Sequence, residues 1–252
     1  MVDRGGVDGG RSWGRLLRGL LDWLLPPACA LCGATGALLC APCLAELPAL
    51  GPACRRCALP LPGDPGGLCG PCLRRPPPFE ALTAPFAYAP PLDRLLQALK
   101  YRGRLELARP LGERLAESWL EAAPPPDLLL PVPLHPRRLR RRGFNQALEL
   151  ARSAARRGGI PLAPDLLRRV QDTPPQAALD ARARRANVRG AFALAAGLGG
   201  ARRVALVDDV VTTGHTVSEL ARLLRRAGAE EVQVWAAARA LPPRVPAGPA
   251  PC

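Results

Sequence analysis

Residues 204–216, VALVDDVVTTGHT, limit the fold of this chain more tightly than any other stretch. Val204, Ala205, Leu206 and Val207 form an unbroken apolar run, the pattern of a parallel strand covered on both faces. The strand is expected to stop at Asp208 and Asp209, which puts two acids at its carboxyl end, the edge where open α/β sheets hold ligands. Thr212, Thr213, Gly214, His215 and Thr216 follow as a small polar turn. Val217, Leu220, Ala221, Leu224 and Ala227 then keep a helical stripe that Gly228 closes, so the amides of the turn point outward at a positive helix end. This order suits a phosphate held by amides and threonine hydroxyls, beside a sugar whose vicinal hydroxyls donate to the two carboxylates. Neither a Walker A lysine nor a G-x-G-x-x-G string competes for the phosphate.

Eight of the nine cysteines fall into C-x2-C pairs: Cys29 with Cys32, Cys40 with Cys43, Cys54 with Cys57, and Cys69 with Cys72. Each pair supplies half of a tetrahedral zinc site, so four knuckles make two four-cysteine sites whose closed coordination marks the metal as structural. With few apolar residues between the knuckles, metal would supply much of the folding free energy there, about 10 kcal/mol per site. A disulfide framework needs an oxidising compartment that nothing in the sequence indicates, and iron–sulfur ligation would use the same thiolates. Consecutive pairing and crossed pairing both leave two complete sites; consecutive pairing is the expectation. Cys252 ends a proline-rich tail and is expected to be a bystander.

The formal net charge of +14 invites a nucleic-acid partner. Lys100 is the sole lysine, however, so all but one of the 35 basic residues are arginine, and a GC-rich coding bias discounts the charge. Residues 1–28 read as an amphipathic helix, with Leu16, Leu17, Leu20, Leu21, Leu24 and Leu25 on one side and Arg15, Arg18 and Asp22 interrupting it. No apolar run reaches membrane-spanning length, and the charges break any signal-peptide core, so a cytoplasmic protein is expected.

Residues 29–73 form a double zinc-ribbon segment and residues 74–78, RRPPP, a linker; the main domain is expected over 79–241 and a disordered tail over 242–252. Residues 79–88 supply one or two strands. Leu92, Leu95, Leu96 and Leu99 mark a helix ending near Lys100 and Tyr101, and Leu111, Leu115 and Trp119 mark a second one. Residues 127–133 read as a short strand. After it, Arg137, Arg138, Arg140, Arg141 and Arg142 occupy a turn that suits a pyrophosphate, and equally a solvated basic loop or a nucleic-acid patch, before a helix whose buried face is Ala147, Leu150, Ala151 and Ala154. Residues 230–235 alternate as a final strand that 236–240 extend.

Three strings in this order carry a resemblance. PVPLHPRRLRRRGFNQ, the segment DTPPQAALDARARRANVRGAF, and VALVDDVVTTGHT together resemble the ComF family of competence proteins, which join a cysteine-rich zinc segment to a type I phosphoribosyltransferase domain. The resemblance implies an α/β fold, a parallel sheet flanked by helices, with a small N-terminal four-cysteine zinc-ribbon domain. It implies a ligand, phosphoribosyl pyrophosphate (PRPP) or a related phosphosugar, bound with magnesium. Asp208 and Asp209 would hold the ribose hydroxyls and be the catalytic residues if turnover occurs, and Thr212, Thr213, Gly214, His215 and Thr216 would hold the 5′-phosphate. Arg137, Arg138, Arg141, Arg142 and Gly143 would form the pyrophosphate loop, and residues 172–187 a flap closing over the ligand. His135 is expected to help pack the arginine loop, and His215 to act through its backbone amide. The family name further implies DNA uptake during natural transformation, with single-stranded DNA and competence-machinery proteins as partners. The alternative is an active phosphoribosyltransferase acting on an unidentified base, nucleoside or amine acceptor.

Overall fold

The computed structural model describes residues 26–61, 63, 67–120, 124–172 and 188–242. The expected helix in residues 1–28 lies outside them except for its last three residues, as do the tail beyond 242 and the flap segment after Asp172. The chain divides into two compact units, residues 1–46 and 47–252. The first contains the cysteines from Cys29 to Cys43 and a short helix, α1 (Ala41–Ala45). The second contains the other four paired cysteines, a short helix α2 (Gly70–Arg74), and the whole sheet.

The sheet is five-stranded and parallel. Its path runs β1 (Ala81–Thr83), β7 (Glu231–Arg239), β6 (Arg203–Val211), β3 (Leu128–Pro131), with β2 (Phe86–Ala87) also pairing with β7. A parallel sheet of this kind must be covered on both faces, and two layers of helix cover it. On one face Leu130, Val204, Leu206, Val232 and Val234 pack with Val217, Leu220, Ala221 and Leu224 of α7 (His215–Arg226). On the other, Trp235 stacks on Trp119 of α4 (Ala108–Leu120) with ring centroids 5.6 Å apart. Packed against α4 is α6 (Gln146–Gly158), whose Leu150, Ala151 and Ala154 are fully buried. Gly112 makes that approach possible: a Cβ there would lie 2.6 Å from the Leu150 carbonyl oxygen and 2.7 Å from Cβ of Ser153.

Three expectations need correction. β6 does not stop at the acids but continues to Val211, because β7 runs beside it and supplies partners as far as Arg239. β7 itself does not alternate; every residue after Glu231 is buried, since both faces are covered. The arginine segment is not an open turn but a helix, α5 (Pro136–Arg142). Pro136 starts it at a position that needs no amide donor, His135 Nδ1 caps it by accepting the Arg137 amide, and Gly143 at φ 85° ends it in the left-handed region.

The remaining elements are α3 (Leu92–Tyr101), a 3-10 turn (Leu105–Leu107), and an antiparallel pair of short strands, β4 (Leu167–Arg169) and β5 (Phe192–Leu194). The β4–β5 pair brings together the two ends of the segment expected to be the flap, with the Val170 amide donating to the Ala191 carbonyl at 2.9 Å.

Candidate functional site

The site is a consequence of strand order. β3 and β6 are parallel neighbours, so the turns that leave their carboxyl ends emerge side by side. From β6 come Asp208, Asp209 and the turn before α7; from β3 come Val132, Pro133, Leu134 and the two helices α5 and α6. Asn145 locks this corner by accepting the Ala147 amide at 3.1 Å as the cap of α6 while donating to the Val132 carbonyl at 3.0 Å.

Between the two turns lies a cavity of about 400 Å³, lined among others by Lys100, Arg138, Arg142, Gln146, Arg169, Asp208, Asp209, Thr212, Gly214, His215 and Thr216. Six of the candidate residues of β6 and its turn, Asp208, Asp209, Thr212, Gly214, His215 and Thr216, therefore share one space with Arg138 and Arg142 of the arginine segment. Thr213, Arg137, Arg141 and Gly143 do not line it. Thr213 instead meets His215 Nδ1 through its hydroxyl at 3.1 Å, and Arg137 points to Asp172 at 3.3 Å.

The two acids differ electrostatically. Asp209 is 4% exposed; its Oδ2 accepts from Lys100 Nζ at 2.9 Å and its Oδ1 from Gln146 Nε2 at 3.4 Å. Burial opposes its charge, but the Lys100 ammonium, together with hydrogen bonds from Asp208 and Gln146, holds the carboxyl below the usual carboxylate range. Asp208, half-buried and accepting the Asp209 amide at 2.9 Å, is pushed well above that range, first by burial and then by the neighbouring negative charge. A carboxylate fixed in its charged form thus stands next to one that takes up a proton easily.

Lys100 was legible only as the end of a helix, although a solitary lysine among arginines is a signal. It sits at the last turn of α3, where Asp209 keeps it protonated against the cost of burial. Tyr101 beside it carries the Arg142 guanidinium 5.5 Å above its ring, and Arg142 Nη1 donates to Gln146 Oε1 at 2.5 Å. Lys100, Tyr101, Arg142, Gln146 and Asp209 are therefore one connected set.

At the helix end of the site, Gly214 adopts φ 77° and precedes α7 without any side-chain cap. A glycine at that position offers no side-chain oxygen of its own to the first turn of α7.

The cysteines form two groups, Cys29, Cys32, Cys40 and Cys43, and Cys54, Cys57, Cys69 and Cys72, in each of which the sulfurs lie within 4.8 Å of one another. Consecutive pairs are joined, as expected. Sulfurs at about 2.3 Å from a tetrahedral zinc lie about 3.8 Å apart; Cys32 and Cys40 stand at 3.6 Å, as do Cys57 and Cys69. The residues fit the metal. The two sites also repeat one construction. In each, the first C-x2-C pair sits on a turn closed by an amide returning to the first cysteine's carbonyl, from Gly33 to Cys29 at 2.9 Å and from Ala58 to Cys54 at 2.8 Å. In each, the second pair opens a short helix with proline in its first turn. Ala58 takes a positive φ of 53° where the first site uses Gly33 at 77°. Burial opposes the Cys54 thiolate, yet the amides of Cys69, Cys57 and Arg56 bring it down to about 7, which readies it for a metal.

No helix among the described residues is long and apolar enough to cross a membrane.

Comparison with known proteins agrees with this architecture. A double zinc ribbon domain model matches residues 20–73, and a phosphoribosyl transferase domain model matches residues 154–246. The DNA utilization protein YhgH of Salmonella typhi is 40% identical over 226 residues, covering 86% of this chain and 99% of that protein. Competence protein F of Haemophilus influenzae is 39% identical over 179 residues, covering 68% of this chain and 78% of that protein. Among solved structures, the allosteric regulatory enzyme of purine biosynthesis aligns at 26% identity and a TM-score of 0.35, over 52% of this chain and 25% of that longer one. With two groups of four cysteines in a double zinc ribbon, a phosphoribosyl transferase domain on a parallel sheet, and relatives about 40% identical that are covered over 78–99% of their length, the chain belongs to the ComF family.

Proposed function

We propose that the chain binds PRPP with magnesium at the cavity between the turns that follow β3 and β6 and acts in the cytoplasm on incoming DNA. The observation that carries the ligand is the pairing, in one cavity of about 400 Å³, of the β6 acids Asp208 and Asp209 with Arg138 and Arg142. In this reading Asp208 accepts the ribose hydroxyls, with Asp209 behind it held charged by Lys100. The turn from Thr212 to Thr216 takes the 5′-phosphate, and Arg138 and Arg142 face the pyrophosphate. Magnesium is an oxygen-seeking ion, and the Asp208 and Asp209 carboxylates are the groups that would stand beside it; it would offset pyrophosphate charge. Titration calorimetry with PRPP, with and without magnesium, tests the reading. Saturable binding that weakens without magnesium and vanishes in Asp208→Asn supports it; absence of heat with PRPP and with ribose 5-phosphate overturns it.

The DNA part rests on relatives named for DNA utilization and competence, and on the arginines of α5. Single-stranded DNA should bind in a salt-sensitive way that weakens when Arg137, Arg138, Arg140 and Arg141 are replaced. Binding that survives those replacements moves the DNA surface elsewhere.

Transfer of the phosphoribosyl group is the second reading. It is favoured by a groove of about 1140 Å³ on the other side of the phosphate turn, bounded by Thr213, Gly214, His215, Ser218, Arg222 and Arg226, with room for an acceptor. Pyrophosphate would leave C1′ with the bonding electrons, the arginines balancing its charge, and the acceptor would form the new bond and lose a proton. Magnesium-dependent pyrophosphate release with an added base, nucleoside or amine decides between binding and turnover.

A further inference from the structure

Arg239, the last residue of β7, is 6% exposed and spans two parts of the fold that lie far apart in sequence. Its Nε donates to the Cys57 carbonyl at 2.7 Å, within the turn that presents Cys54 and Cys57. Its Nη1 donates to the carbonyls of Val211 at 2.9 Å and Ala240 at 2.8 Å, and also to that of Thr212. Val211 and Thr212 are where β6 ends and the phosphate turn begins. One buried guanidinium thus ties the Cys54–Cys57 knuckle of the second four-cysteine site to the turn. A second tie runs beside it, the Leu82 amide donating to the Arg55 carbonyl at 3.1 Å, so the knuckle is also fastened to β1.

We infer that Arg239 is a positioning residue through which the second four-cysteine site sets the conformation of the phosphate turn. The inference rests on the reading of residues 211–216 as the phosphate-binding element. The physical reasons are three. A guanidinium is a rigid planar fork, so fixing one edge on Cys57 fixes the direction of the other edge. The carbonyls it satisfies are drawn inward by a charge with little access to water, where such bonds are stronger than between neutral groups. The knuckle that supplies the Cys57 carbonyl has little core of its own, so its shape depends on metal held by Cys54, Cys57, Cys69 and Cys72. By reciprocity, whatever the second metal contributes to ligand affinity, the ligand returns to retention of that metal.

The test uses the full chain loaded with zinc and compares it with Arg239→Lys, which keeps the charge and loses the fork. Hydrogen exchange is followed in peptides covering residues 210–216, with peptides from α6 as the internal reference. In wild-type protein, stripping zinc with a chelator should speed exchange in that turn roughly tenfold or more while α6 is unchanged. Arg239→Lys should reproduce the faster exchange with its full zinc content. A turn that exchanges alike in wild type and Arg239→Lys, or that is indifferent to zinc removal in wild type, overturns the inference. Should Arg239→Lys fail to fold, Arg239→Gln, which also loses the fork, takes its place in the comparison. Because this readout needs no ligand, it separates the inference from the reading of the cavity. If PRPP binds, a second arm measures zinc release to a chromogenic chelator: PRPP should slow it in wild type and leave it unchanged in Arg239→Lys, and slowing of equal size in both overturns the inference.

Discussion

Lys100 Nζ lies 2.9 Å from Asp209 Oδ2, joining the end of α3 to the middle of β6 across 109 positions of sequence. The acid is nearly inaccessible and the lysine side chain 28% exposed, so the pair lies between a surface ion pair and a buried one. It favours the charged form of one of two adjacent carboxylates, while the other has a raised proton affinity.

Lys100→Met therefore leaves Asp209 buried without its counter-charge. The expected loss is about 2 kcal/mol at pH 7, read from urea unfolding, between the values for exposed and buried pairs. Because Asp209 has a lowered proton affinity in the folded state, its contribution is present above the ordinary carboxylate range and disappears as pH falls through its own lower value. The gap between wild type and Lys100→Met should accordingly close in acid. An unchanged gap down to pH 2 would count against the assignment.

Asp208 has the opposite sign. Its folded-state proton affinity is raised, so its charge costs stability once pH climbs above the unfolded value, and the cost is complete above the folded value. Asp208→Asn should stabilise the protein at pH 8 by about 1 kcal/mol, the usual scale of gain when a functional strain is removed. Ligand binding should be lost in the same variant. Thermal unfolding beside calorimetry reads both, and a destabilised Asp208→Asn would refute the account.

Gly112→Ala inserts a methyl group where α4 meets α6, against a backbone oxygen that has little room to retreat. A loss of about 2 kcal/mol in denaturant unfolding is expected, the scale of overpacking in a close-packed core. Gly197→Ala, with nothing within 4 Å of the added carbon, serves as the neutral comparison.

Cys32→Ser combined with Cys40→Ser should remove one of two bound zinc ions, measured by metal analysis, since the cysteines form two separate four-sulfur groups. The sheet-containing unit should unfold at an unchanged midpoint, because that double substitution lies wholly in the other unit. Loss of both metals would show that the two sites are not independent.

Much of the site was readable from local pattern. Val204 to Val207 announced a doubly covered strand, Thr212 to Thr216 a polar turn before a helix, and the C-x2-C spacing two closed metal sites, because each rests on neighbours within a few residues. The helical state of the arginine segment was misread, since a run of charges suggests solvated turn; its capping by His135 and Gly143 outweighed composition. Arg141 and Arg142 look alike in sequence, yet only Arg142 reaches the cavity, where it bonds Gln146 and covers Tyr101.

By itself, then, the sequence determined the chemistry available: two acids, a phosphate-sized polar turn, a cluster of arginines and eight paired thiols. Tertiary structure alone decided which of these groups act on one another. Lys100 reaches Asp209 from another helix, and Arg239 reaches Cys57 across 182 positions. Neither contact leaves a local pattern, because parallel strand order and the docking of the second zinc knuckle bring those residues together only once the core has formed.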